Sequence, residues 1–307
     1  MNVPRRHHLV PKFLLKRFAK GDKIAMTRRD DLKQMKVIVT SPQKAATQTD
    51  FYAIEDKYGN KSISVEAYLS NVEGNAATVI RDILLAGGFP PSESDKAALA
   101  QFMAFQIARG QNQRAALRQL YEHIHAMAKR GPSVEVVRDY LRSNLGRVPT
   151  DDEIEAQQSR NGAHIPDLPS SRQIANQHLS TMFEVAENTA HYIASRCWQL
   201  FTFQTPSLLT GDAPVVCTDP FAPVAGVANA DTIFFPLDPT HALALWREDR
   251  GEGVFPCGKI ESQYINMNVA FDSYNWIHFR PGSHPLDGFE LPERGPMVQS
   301  GAGSGEL

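Results

Sequence analysis

The stretch IASRCWQLFTFQTPSLLTGDAPVVCT, residues 193–218, is where the chain changes period. Upstream of it, Ile174, Leu179, Met182, Val185, Ala186 and Ile193 recur at helical spacing and predict a helix from about Arg172 to Cys197. Within and beyond it, WQLFTFQT, LLTGDAPVVCT, DTIFFPLD and HALALWR are short aromatic and β-branched runs set apart by Pro, Gly and Asp. Such runs read as strands. KIESQYINMNVAFDSYNWIHFR then reads as a helix followed by a closing strand.

Toward the N-terminus the helical signal is stronger still. Leu69, Val72, Ala76, Val79, Ile80 and Ile83 mark a helix from Val65 to about Ala86, ended by Gly87-Gly88. Ser92 or Ser94 can cap a second, longer helix running to Arg130, which Gly110 can bend. VEVVRDYLRSNL is a third helix, and residues 149–171 read as a short capped helix and a mobile loop. Before all of these, VPRRHHLVPKFLLKRF (Val3–Phe18) opens a short helix at Pro11, with Phe13, Leu14 and Phe18 on one face and Gly21 as C-cap. KIAMT and MKVIVT are β-like, and DFYAI adds a third strand.

The order is a small N-terminal β/helix element, a central helical bundle and a C-terminal β-rich sheet, hence α+β. We expect one domain over 1–281, with its helical centre at 62–200 and its β-rich part at 201–281. A flexible tail rich in Gly, Pro and Ser covers 282–307.

Composition narrows the function classes. Hydrophobic residues are 42% and charged residues 21%, which suits a globular protein with its own core. The net charge of -2 carries no global signature of nucleic-acid binding. The distribution is uneven, however. From Arg5 to Lys36 eleven cations face three acids, and after Lys129 the only lysine is Lys259. A basic front of this kind can meet phosphate or an acidic partner, or be a solvated face. The three cysteines have no CxxC spacing, so a reducing, cytoplasmic setting is expected, and no apolar run is long enough for a membrane span. The sequence contains no GxGxxG after a strand, no GxxxxGK[ST], no HExxH and no GxSxG.

Seven segments together resemble one bacterial family. HHLVPKFLLKRFA, DFYAIED, SVEAYLSNVEGNAATVI, FMAFQIARGQNQR, SLLTGDAPVV, IFFPLDPTHALAL and INMNVAFDSYNWI stand in the order of domain-of-unknown-function family four-two-three-eight. The resemblance covers nearly the whole chain. It implies a family and no mechanism, since no activity is established for that family. One departure is the turn, which in the family often reads SDNP and here reads Gly211-Asp212-Ala213-Pro214. HHLVP also resembles, more loosely, the entry of HNH-type nucleases, yet no histidine lies between His8 and His123 to complete such a site.

His7 and His8 are the sharpest candidates. Adjacent side chains on an extended chain point to opposite faces, so a split role is expected. One ring serves as base or ligand and the other anchors to the core, or both lock the fold. Glu66 and Glu73 lie seven apart on one helix face and can orient the histidines, or, through Glu66 with His8, hold a divalent metal. Gln106 and Arg109 are neighbours on the next helix. Arg109 can pair with Glu73 or grip a phosphate or carboxylate with its planar fork. Arg5, Arg6, Gln106 and Arg114 are the substrate-binding candidates, and Asp212 is either a turn residue or a base.

Two function classes follow. One is a hydrolase of the nuclease or phosphoesterase type, acting on nucleic acid or another phosphate-bearing ligand, with His7, His8, Glu73, Arg109 and Asp212 as catalytic residues. The other is a non-catalytic ligand- or partner-binding protein of a bacterial defence or stress system, its His/Glu/Arg cluster purely structural.

Overall fold

The computed structural model describes residues 6–31, 36–55, 61–62, 64–162, 167–221, 225–288 and 290–291. In chain order the elements are β1 (Arg6–His8), α1 (Lys12–Arg17), β2 (Ile24–Arg28), β3 (Ile38–Thr40), β4 (Thr47–Thr49), β5 (Ile54–Glu55) and β6 (Lys61–Ser62). Then come α2 (Ser64–Leu85), α3 (Glu93–Ala108), α4 (Gln111–Arg130), α5 (Val134–Leu145), α6 (Asp151–Gly162) and α7 (Ser171–Ala194). The chain closes with β7 (Cys197–Thr202), β8 (Leu209–Gly211), β9 (Val216–Thr218), β10 (Thr232–Asp238), β11 (His241–Trp246), β12 (Gly253–Pro256), α8 (Lys259–Asp272) and β13 (Trp276–Phe279). The class is α+β. Among the described residues no helix is long and apolar enough to cross a membrane.

The described residues divide into two compact units, one built from those up to 114 and those from 175 on, the other from 115–174. Residues 115–174, read from sequence as part of one continuous domain, therefore form a unit of their own. In it α5 and α6 pack on each other, with Val137 and Ile154 as buried side chains. α5 starts on the Ser133 hydroxyl, which accepts from Val136 N–H, and ends on left-handed Gly146. Both caps satisfy backbone groups that helix ends otherwise leave orphaned.

The larger unit holds the core. A five-stranded sheet has the order β12-β7-β11-β10-β9, antiparallel except for β12 beside β7. Its interior strand β10 buries Ile233, Phe234, Phe235 and Leu237 on both faces, which explains the unbroken apolar run. A second sheet, β3-β2-β13-β8, joins N-terminal strands to C-terminal ones: Thr27 pairs with Ile277 and His278 with Thr210. The N-terminal element is thus half of a sheet whose other half lies about 250 residues on, and local periodicity carries no record of such pairing. α2 packs on α3, and its Val72, Ala76, Ile80 and Ile83 are buried. Leu14, Leu15 and Phe18 of α1 are fully buried, each contributing about 1.5–3 kcal/mol.

Three boundaries differ from the sequence reading. The long helix to Arg130 is two helices, because α3 ends at Ala108 with Arg109 as its C-cap and the chain restarts at Gln111. Gly21 does not cap α1, which closes on Phe18; its φ of +58° instead makes the turn between Lys20 and Lys23. The tail expected from 282 is anchored at its start. Leu286 is 3% exposed, and Asn266 donates to the Pro285 carbonyl at 3.3 Å. The tail beyond 291 lies outside the described residues.

Candidate functional site

The site is assembled on β1. Three residues long and polar, it pairs with β4 so that His7 faces Gln48 and His8 faces Thr47. Alternation then sends the two histidines to different surroundings. His7 is 1% exposed. Its Nδ1 accepts from Tyr52 N–H at 2.7 Å, its ring stacks on Tyr52 at 5.5 Å, and its Nε2 lies 3.6 Å from Glu66 Oε2. With a backbone N–H donating to Nδ1, the proton sits on Nε2, toward the carboxylate. His7 is therefore held on two sides and fixes the Tyr52 turn.

His8 is half-buried. The Ala45 backbone favours the charged ring, and Nδ1 is buried without a partner. Burial lowers its pKa, Glu73 raises it, and Lys12 and Arg109 lower it, with a net shift downward. His8 is thus neutral at neutral pH with a basic nitrogen shielded from water.

α2 supplies the carboxylates and the end of α3 the cation. Arg109 is 2% exposed, and its Nη1 donates to Glu73 Oε1 at 2.8 Å. Burial opposes its charge, but Tyr52 and Glu73 outweigh it and hold its pKa above the ordinary value. The guanidinium also lies over the Tyr52 ring, 5.8 Å from its centroid. Nε and Nη2, which form the side-on fork of a guanidinium, meet no acceptor. Gln106, one turn earlier and 3% exposed, has neither its Nε2 nor its Oε1 partnered. Buried polar groups are almost always satisfied, and each that is not costs about 1–3 kcal/mol. The cluster therefore combines an inner set of unsatisfied groups, Arg109, Gln106 and His8, with an outer rim of partly exposed Glu66 and Glu73.

A family model described as a protein of unknown function, DUF4238, matches residues 6–283. The chain belongs to DUF4238. The match takes in every residue of this cluster. No curated protein and no solved structure matches the chain.

Elsewhere in this DUF4238 protein the other candidates have structural work. Asp212 grips a turn with its carboxylate. Its Oδ1 accepts from Tyr274 N–H at 2.6 Å and its Oδ2 from Asn275 and Trp276 N–H at 2.7 and 3.1 Å. Gly211 makes room for this turn, since a Cβ there would lie 1.9 Å from Ser273 Oγ. Arg114 donates to the Phe51 carbonyl at 2.9 Å, stacks on the Phe51 ring at 3.8 Å and reaches His178 Nδ1 at 3.4 Å, so its fork is spent. Burial pushes its pKa down to about 10. Glu66, expected to pair with His8, stands against His7 instead, because alternation along β1 turns His7 inward. Among the described residues no group of three or more His, Cys, Asp or Glu side chains can hold a metal ion. Arg5 and the Arg6 side chain lie outside the described residues.

Sequence reasoning missed Tyr52, which links His7 to Arg109, and Gln48, which accepts from Gln111 beside the site. An aromatic in DFYAI is the only local signal for the former. A cleft of about 650 Å³ lies at the start of α8, lined by Lys259, Ser262, Asn266 and His284 among others. Ser262 and Asn266 give their donors to backbone carbonyls, so it holds none of the unsatisfied groups found around Arg109.

Proposed function

We propose that the cluster is the hydrolytic site of a phosphoesterase, with the unpartnered, buried fork of Arg109 as the observation that carries the reading. Such a fork matches two oxygens of a phosphate or carboxylate and is otherwise costly to bury. His8 is the base: a water donates to Nδ1, its oxygen attacks phosphorus, and the ester P–O bond breaks. The proton taken by His8 ends on the leaving alcohol, so phosphate and alcohol are the products. Arg109 stabilises the charge gathering on the phosphoryl oxygens. Glu73 fixes the guanidinium through Nη1, and His7, held by Glu66 and Tyr52 N–H, fixes the Tyr52 ring beneath it. A phosphate-bearing ligand is the partner. The three unpaired cysteines support a cytoplasmic, bacterial-type setting.

The second reading is a protein that holds such a ligand without turning it over. The shielding of Arg109 Nε and Nη2 from solvent favours it, because groups so buried exchange a ligand slowly.

The test is release of nitrophenol from p-nitrophenyl phosphate, with His8→Ala and Arg109→Lys beside the native protein. The hydrolase reading expects turnover that falls about 10²-fold or more in His8→Ala, as for loss of a general base. Turnover unchanged in His8→Ala removes that histidine from the mechanism. Ligand-induced stabilisation without turnover selects the second reading.

A further inference from the structure

We infer that the site recognises a terminal phosphate, a phosphate monoester, and rejects diesters, nucleic-acid backbones included. The inference rests on the oxyanion reading of Arg109 and follows from matching the site's free groups to a ligand one by one. The buried donors without partners are Arg109 Nε, Arg109 Nη2 and Gln106 Nε2. The buried acceptors without partners are Gln106 Oε1 and, with the ring proton on Nε2, His8 Nδ1.

A diester has two non-bridging oxygens that only accept. It can fill the Arg109 fork, but it leaves Gln106 Oε1 facing a lone pair. A monoester in its singly protonated form offers two unprotonated terminal oxygens and one P–OH. Its two unprotonated oxygens take the fork, one of them also accepting from Gln106 Nε2, its hydroxyl donates to Gln106 Oε1, and the attacking water donates to His8 Nδ1. Every orphan then has a partner of the opposite kind. Gln106 in the last turn of α3 and Arg109 at its C-cap are three residues apart, a spacing that sets side chains beside each other, so they can serve one small anion.

Charge at the rim points the same way. Glu66 and Glu73 are the partly exposed members of the cluster, at 31% and 26% side-chain exposure. A row of backbone phosphates passing two carboxylates is repelled, whereas a single phosphate loses that cost once inside against Arg109.

Calorimetric titration of the full chain with methyl phosphate and with dimethyl phosphate tests this. The expected result is a dissociation constant at least about tenfold smaller for the monoester, a ratio that shrinks to about threefold or less in Gln106→Met. A preference due to charge alone persists in that variant, and so overturns the role of Gln106. Equal affinities in the native protein overturn the inference, as does binding of neither ester. If Gln106→Met does not fold, the native ratio decides. Selective binding without turnover defeats hydrolysis and leaves this inference standing. Turnover of p-nitrophenyl phosphate with unselective binding defeats this inference alone.

Discussion

Arg109 gives Glu73 one nitrogen and keeps the opposite edge of its guanidinium unpartnered: Nη1 lies 2.8 Å from Glu73 Oε1, while Nε and Nη2 meet no acceptor. An arginine serving only to neutralise a buried glutamate has no need to hold its fork in reserve. The pair is also lopsided, since Arg109 is sealed and the Glu73 side chain is 26% exposed.

That asymmetry makes opposite truncations unequal. Glu73→Leu leaves a guanidinium buried with no countercharge and is expected to cost about 3–5 kcal/mol. Arg109→Leu leaves a carboxylate able to turn toward water and is expected to cost less, about 1–3 kcal/mol. The double variant recovers part of the first loss. Urea unfolding of the three proteins checks the order, and an equal cost for both single variants contradicts it.

Asp212 holds a turn. Its carboxylate accepts three backbone N–H groups, so Asp212→Ala is expected to lose about 2–4 kcal/mol of stability. The turnover per folded molecule should stay within about twofold of native, because a turn clamp outside the cluster moves no proton. A loss of turnover on the scale of His8→Ala, in protein that remains folded, returns Asp212 to the site.

Acid should unfold this protein through buried neutral histidines. Burial pushes His278 down to about 4, and burial with the Arg114 charge does the same to His178, from an ordinary 6.5. Between those values the unfolded chain binds protons that the native state refuses. Stability is therefore complete above pH 6.5 and falls as pH drops toward 4, by about 3 kcal/mol for each such shift. His8 adds a smaller term of the same sign. Neither ring nitrogen of His278 has a partner, so His278→Leu breaks no bond. It should change stability near pH 7 by less than about 1 kcal/mol and remove that histidine's share of the acid loss. Unfolding midpoints at about pH 7.5 and 4.5 read both effects. A variant as acid-sensitive as the native protein rules out the assignment.

How much of this was legible depended on whether a residue's partner was near in sequence. The apolar set of α2, the Ser92 cap of α3, the limits of α5 and the order of α8 and β13 all follow from neighbours within a few turns. The split of His7 from His8 was readable because alternation is local, and so was the choice for Arg109 between Glu73 and an anion. The structure shows the first of those contacts and leaves the second edge open. What could not be read were pairings set by tertiary closure. β1 and β4 are three-residue polar strands with no apolar alternation, and the Tyr52 N–H that fixes His7 comes from a turn 45 residues away. The three amides gripped by Asp212 lie more than 60 residues beyond it.

The central claim is that an oxyanion occupies the Arg109 fork. The most direct measurement is a crystal structure of the protein soaked in tungstate, a heavy analogue of phosphate, located by its anomalous scattering. The prediction is one tungstate with oxygens within hydrogen-bond distance of Arg109 Nε and Nη2, beside Gln106 and His8 Nδ1, and its loss in Arg109→Leu. A fork closed by the protein's own carbonyls or carboxylates, with tungstate bound only elsewhere, would contradict it.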